Sequence, residues 1–185
     1  MATDWTVRAI TRAMLPVLLA LTVVELGSGL VLGAFEERLL RAPSLLVLVP
    51  VTIGTAGNLG SILAARLSTA FHLGTLSFDP TDDELAGNAV ATVALAVTLF
   101  PVIGLGAWTL ASLVGETTLG PGTVLVVALS AGVTLAVLAV AVTLVATYAA
   151  YRLSLDPDDV VIPVVTNVCD VLGVLVLFGA VLVFT

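Results

Sequence analysis

Apolar runs longer than the ~18 to 20 residues that cross the hydrocarbon core of a bilayer recur along this chain, and they restrict it to very few folds. Read by length and flanking charge, they give about five spans: Arg12 to Ala34, Ser44 to Phe71, Leu85 to Val114, Gly122 to Tyr151 and Val160 to Phe184. Within lipid every backbone N–H and C=O must be satisfied inside the protein, which leaves helices or a closed barrel. A barrel would show alternating segments of ~10 residues, and none is present. With 59% hydrophobic and only 10% charged residues, and a mean hydropathy of +1.22, a soluble domain is excluded. The expected fold is an all-α integral membrane bundle of about five transmembrane helices.

The joints between spans, FEERLLRAP, HLGTLSFDPTDDE, GETTLGP and RLSLDPDD, carry the Gly, Pro and acidic residues that end helices and hydrate. None is long enough for a second domain, so residues 1–185 are expected to form a single transmembrane domain. At ~1.5 Å per residue the first span covers roughly 34 Å, and the longer ones must tilt, kink or project. Pro101 is the expected kink in the third. The lead-in MATDWTVRAITRAM precedes an apolar run too long for a removable signal peptide, so the first helix is expected to be kept.

Arginine placement sets the expected orientation, because cytoplasmic flanks retain the excess of basic residues. An inside N-terminus puts Arg8, Arg12, Arg66 and Arg152 on the cytoplasmic side and Arg38 and Arg41 outside, with the C-terminus outside. A multi-pass protein of the cytoplasmic membrane is expected. All six basic residues are Arg against thirteen acids, a net charge of −7, which fits a high-salt habitat or a high-GC genome. Without a basic patch, nucleic acid is excluded as a partner. Cys169, the single cysteine, reads as packing.

Two acids fall deep in apolar runs, Glu25 and Asp170. A charged Asp at mid-helix costs ~2.5 to 3.5 kcal/mol on insertion scales, so Asp170 should face protein, water or a cation. Pro163, Thr166, Asn167, Asp170 and Gly173 recur at helical spacing on one face, and Pro50, Gly54, Gly57, Asn58 and Ser61 do the same in the second span. Small residues spaced by four favour close helix packing, which accounts for Gly54 but not for the carboxamide of Asn58. Two such stripes facing each other would make a hydrated cation path. Oxygen ligands without thiolate or histidine clusters indicate a hard ion, and Mg²⁺ needs only one or two carboxylates; the spacing leaves Ca²⁺, Mn²⁺, Na⁺ and a proton open.

Glu25, beside Gly27, Ser28 and Gly29, is a candidate cavity or proton-coupling acid, with a bond to a helix neighbour as the alternative. His72 reads as an interfacial anchor. The loop acids Asp79, Asp82, Asp83, Glu84, Asp156, Asp158 and Asp159 read as solvated, helix-initiating groups.

LVPVTIGTAGNLGSILAARLSTAFHLG, Leu48 to Gly74, and LDPDDVVIPVVTNVCDVLG, Leu155 to Gly173, resemble the second- and fifth-helix signatures of the MgtE magnesium channels and, more closely, one repeat of the solute-carrier family 41 magnesium transporters. Gly87-Asn88 is similar to a further Gly-Asn pair at the start of the third helix. The resemblance implies a Mg²⁺ channel or transporter, with Mn²⁺ or Co²⁺ as substitutes, rather than an enzyme. It implies that Asp170 engages the metal and that Asn58 and the glycines around it, Gly54 and Gly57, belong to the pore-lining helix. The residue stripes add Asn58, Thr166 and Asn167 as candidate metal contacts and Ser61 and Gly173, with Asn88 of the third helix, as candidate pore lining. The resemblance also implies a homodimer in lipid, each chain giving half of a pore at the shared axis, without the cytosolic Mg²⁺-sensing domains of bacterial MgtE. Na⁺- or H⁺-coupled exchange is the alternative mechanism. A non-transporting scaffold and an intramembrane aspartyl protease are the other classes; Cys169-Asp170 lacks the Gly-x-Gly-Asp pattern of the latter.

Overall fold

The computed structural model describes residues 6–78, 82–115 and 117–185; Asp79 and the start of the lead-in peptide lie outside them. Among the described residues the chain folds as six α-helices: α1 Val7–Ala34, α2 Glu36–Arg41, α3 Pro43–Leu73, α4 Asp83–Leu113, α5 Pro121–Leu153 and α6 Pro157–Phe184. Five of these, all but α2, are long and apolar enough to cross a membrane. They coincide with the five expected spans, so those spans correspond in order to α1, α3, α4, α5 and α6.

Helix boundaries follow local chemistry. The side chains of Thr6, Asp82 and Asp156 cap α1, α4 and α6 by accepting from backbone N–H groups of the first turn. Prolines at the first turn open α3, α5 and α6, where a missing N–H costs nothing. Gly74 ends α3 in the left-handed region at φ 69°, letting the N–H of Thr75 reach the carbonyl of Ala70 at 3.0 Å. Pro101 lies inside α4, which is helical on both sides of it.

The helix α2 departs from the expected connection FEERLLRAP. Glu36 and Glu37 occupy its first turn and Arg38 and Arg41 its last, matching the helix dipole, and Arg41 pairs with Glu37 one turn back. Leu39 is its buried anchor. The connection before α5 is tied to the same end, with the hydroxyl of Thr118 donating to the carbonyl of Arg41 at 3.0 Å and the indole of Trp108 to that of Leu119 at 3.2 Å.

The core is a four-helix unit in which α3 and α5 each touch the other three members, while α1 packs outside it against α6. Alanines line the seams: Ala64, Ala128, Ala136 and Ala139 are fully buried, so the backbones approach closely where lipid provides no hydrophobic drive. Gly132 of α5 lies under the ring of Phe100 on α4, leaving no space for a Cβ. At the other face of the bundle, Phe35 stacks on Phe178 with centroids 4.1 Å apart, docking the end of α1 on α6. Phe71, Phe78, Tyr148 and Tyr151 form an aromatic cluster at the opposite end, consistent with a belt at the headgroup level.

Gly132→Ala should therefore force Phe100 out of place and cost about 1 to 3 kcal/mol of stability. The check is the unfolding midpoint of detergent-solubilised protein, which should fall in Gly132→Ala and recover in Gly132→Ala/Phe100→Leu. An unchanged midpoint in the single variant would contradict this packing.

Candidate functional site

The seam between α3 and α6 is built on glycine. A Cβ placed at Gly60 would lie 2.8 Å from Cγ1 of Val165 and 2.9 Å from Sγ of Cys169; at Gly173 it would lie 3.2 Å from Cα of Ile53. Cys169 is buried in this contact, as packing requires. At Gly57 the missing side chain is replaced by a carboxylate: a Cβ there would sit 2.5 Å from Oδ1 of Asp170 and 3.5 Å from Cγ2 of Thr166. Of the second-span stripe it is Gly57 that meets α6, with Asp170 laid against bare α3 backbone there.

Oδ1 of Asp170 is buried and has no hydrogen-bond partner. The polar neighbours do not supply one, because they are engaged along α6 itself. The Thr166 hydroxyl donates to the carbonyl of Ile162 at 2.9 Å, and the Asn167 amide nitrogen donates to that of Pro163 at 3.1 Å. An ionised oxygen left without a partner in a low-dielectric seam is strongly disfavoured, so this arrangement has a cost that packing alone does not explain. It leaves an acceptor ready for a cation or a water.

Beside the seam, α3 presents an open strip. Gly54 has nothing within 4 Å of where a Cβ would be, and Pro50, Gly54 and Asn58 are exposed. Ser61, half-buried, donates to the carbonyl of Asn58 at 3.1 Å. Glu25 is exposed on α1, the helix that packs against α6. Asn88 stands apart from this group, buried on α4, where its Oδ1 accepts from Nε of Arg66 and its amide nitrogen donates to the carbonyl of Glu84 at 2.8 Å.

The structure also gathers residues that the sequence pattern left separate. Gly60 was outside the expected stripe, yet it makes as close an approach as Gly57; the signal was the spacing of three between the two glycines. His72, expected as a lone interfacial anchor, shares the end of the bundle with Asp156 and Asp158, their donor atoms all within 4.8 Å of one another. The run LDPDD, which opens α6, was the available cue.

Comparison with known families gives one match that covers most of the chain: the family model MgtE, described as a divalent cation transporter, aligns with residues 49–180. The match begins at the top of α3 and runs nearly to the end of α6, so it includes the whole Gly57–Asp170 seam. No curated protein matches the chain.

Because Asp170 holds an unpartnered carboxylate oxygen, Asp170→Asn should stabilise the protein, by about 1 kcal/mol, as removing an unfavourable buried charge does. Thermal unfolding in detergent without divalent ions should show a higher midpoint for the variant. A midpoint lowered by the substitution would mean that the carboxylate already has an internal partner.

Proposed function

The chain belongs to the MgtE family of divalent cation transporters, and on that premise we propose that it conducts hydrated Mg²⁺ along a path walled by α3 and α6. The observation that carries this reading is the buried, unpartnered oxygen of Asp170 against Gly57. Mg²⁺ keeps several waters and binds through one or two carboxylates, so a single acid facing bare backbone suits it better than a full protein cage would.

In this reading Asp170 engages the ion, and Asn58, Thr166 and Asn167 contact its water shell through their oxygens. Gly54, Gly57 and Ser61 keep the α3 wall thin and polar. Gly173 and Asn88, expected as pore lining, take a packing role instead, Gly173 against Ile53 of α3 and Asn88 bonded to Arg66. Each chain supplies one wall, and a second copy related by a twofold axis completes the path, bringing two Asp170 carboxylates towards the axis. The exposed strip of Pro50, Gly54 and Asn58 is the surface such an axis would use.

The protein lies in the cytoplasmic membrane with its N-terminus inside, which places Arg66 and Arg152 near the inner surface. The ion drawn through the pore is the substrate, with Mn²⁺ and Co²⁺ as similar-sized substitutes.

The packing of α1, which carries Glu25, against α6, which carries Asp170, supports a second reading, in which Glu25 carries a coupling Na⁺ or H⁺ and transport is exchange. Imposing a Na⁺ or pH gradient should then change Mg²⁺ flux in the wild type but not in Glu25→Gln; gradient-independent flux would remove this reading.

Reconstituted into proteoliposomes, the protein should take up Mg²⁺, and Asp170→Ala should lower uptake by roughly tenfold or more, the factor that ~1.4 kcal/mol of lost ion binding produces. Undiminished uptake by Asp170→Ala would overturn the role given to this residue.

A further inference from the structure

We propose that His72, Asp156 and Asp158 form a second metal site, for a divalent first-row transition metal such as Zn²⁺, clamping the last turn of α3 to the first turn of α6. It goes beyond the transport reading and does not depend on it. The three residues come from the end of α3 and the cap and first turn of α6, and one ligand atom from each lies within 4.8 Å of the others. Nε2 of His72 stands 3.7 Å from Oδ1 of Asp156, so small side-chain rotations bring all three onto one ion.

The site is prepared from behind, and this is independent of the convergence itself. Nδ1 of His72 lies 2.9 Å from the carbonyl oxygen of Ser68, and since a carbonyl can only accept, Nδ1 carries the proton. Nε2 is thereby the ring nitrogen that remains on the side of Asp156, the outer-shell arrangement by which a carbonyl orients a metal-binding histidine. The hydroxyl of Ser68, wholly buried, donates to Oδ1 of Asp158 at 2.6 Å and fixes the second ligand. Asp156 is held as the cap of α6, accepting the N–H of Asp158 at 3.0 Å.

Charge points the same way. Among the described residues no arginine pairs with Asp156 or Asp158, and the guanidinium of Arg152 lies instead over the Tyr148 ring, 6.0 Å from its centroid. One imidazole nitrogen and two carboxylates suit Zn²⁺, Mn²⁺ or Co²⁺, whereas Mg²⁺ takes oxygen donors and disfavours imidazole. All three side chains are exposed, so an ion can reach them from water, and open positions remain for solvent.

The test uses the full chain in detergent with Asp170→Asn as background, so that the carboxylate in the seam contributes nothing. Competition with a chromophoric chelator should show one Zn²⁺ bound per chain, with affinity lowered by about tenfold or more when His72→Gln or Asp158→Asn is added, as loss of a ligand or its outer shell does. Zn²⁺ should raise the unfolding midpoint of the background protein and leave that of the His72→Gln protein unmoved. X-ray absorption at the zinc edge of the Asp170→Asn protein, which needs no change at the site itself, should show an imidazole shell. No Zn²⁺ bound, affinity unchanged from the background protein in both added variants, or a spectrum without imidazole would each overturn the site. None of these readouts involves flux, so they stand or fall separately from Mg²⁺ uptake.

Discussion

The approach of α3 to α6 across Gly57 and Gly60 governs the geometry of everything near the site, because in lipid two helices gain little from apolar contact and must gain from closeness. At Gly60 the space is taken by Val165 and Cys169, which is ordinary packing. One turn away, at Gly57, the same closeness brings a carboxylate against backbone and leaves its Oδ1 unpaired. A single seam therefore does two things: its apolar contacts hold the helices at a fixed separation, and that separation positions a group which is unfavourable by itself. Without Gly60 and Gly173 keeping the backbones near, Asp170 would have room to turn away and find water or a helix neighbour.

Much of this was legible in the sequence, since spans longer than a bilayer and a lone mid-helix Asp are signals that no tertiary context alters. The five membrane helices begin and end within a few residues of where hydropathy and caps put them, and the family resemblance carried by the α3 and α6 motifs agrees with the family match. What could not be read was which member of a stripe touches and which stays open. Gly54, Gly57 and Gly60 are alike as residues, and only the rotation of α3 about its own axis decides that Gly57 and Gly60 meet α6 while Gly54 faces outward. Helical spacing fixes relative positions on a face but not the absolute direction of that face.

The short helix α2 illustrates a different limit. Its six residues read as a hydrated connection because their charges were counted, whereas what matters is the order of those charges: acids first, arginines last, with Glu37 and Arg41 one turn apart. His72 failed to stand out for a related reason. Its partners Asp156 and Asp158 lie far along the chain, and the helices that unite them had to be packed before the cluster existed.

The glycines of α3 need not be assigned wholly to packing or wholly to a pore, since the structure divides them. Gly57 and Gly60 have neighbours that a methyl group would strike, so their smallness is required by contact. Gly54 has open space around it, so contact within this chain gives no reason for its smallness. Yet Gly in a helix interior is disfavoured by roughly 1 kcal/mol relative to Ala, and an apolar helix gains nothing from an exposed one. Gly54 shares its exposed strip with Pro50, which cannot donate a backbone hydrogen bond, and with the polar Asn58. Pro50 and Gly54 weaken the helix on the side where Asn58 is exposed. A lipid-facing surface would select against all three, and a surface facing water, an ion or a second chain would not, which is the setting that the proposed path gives this strip.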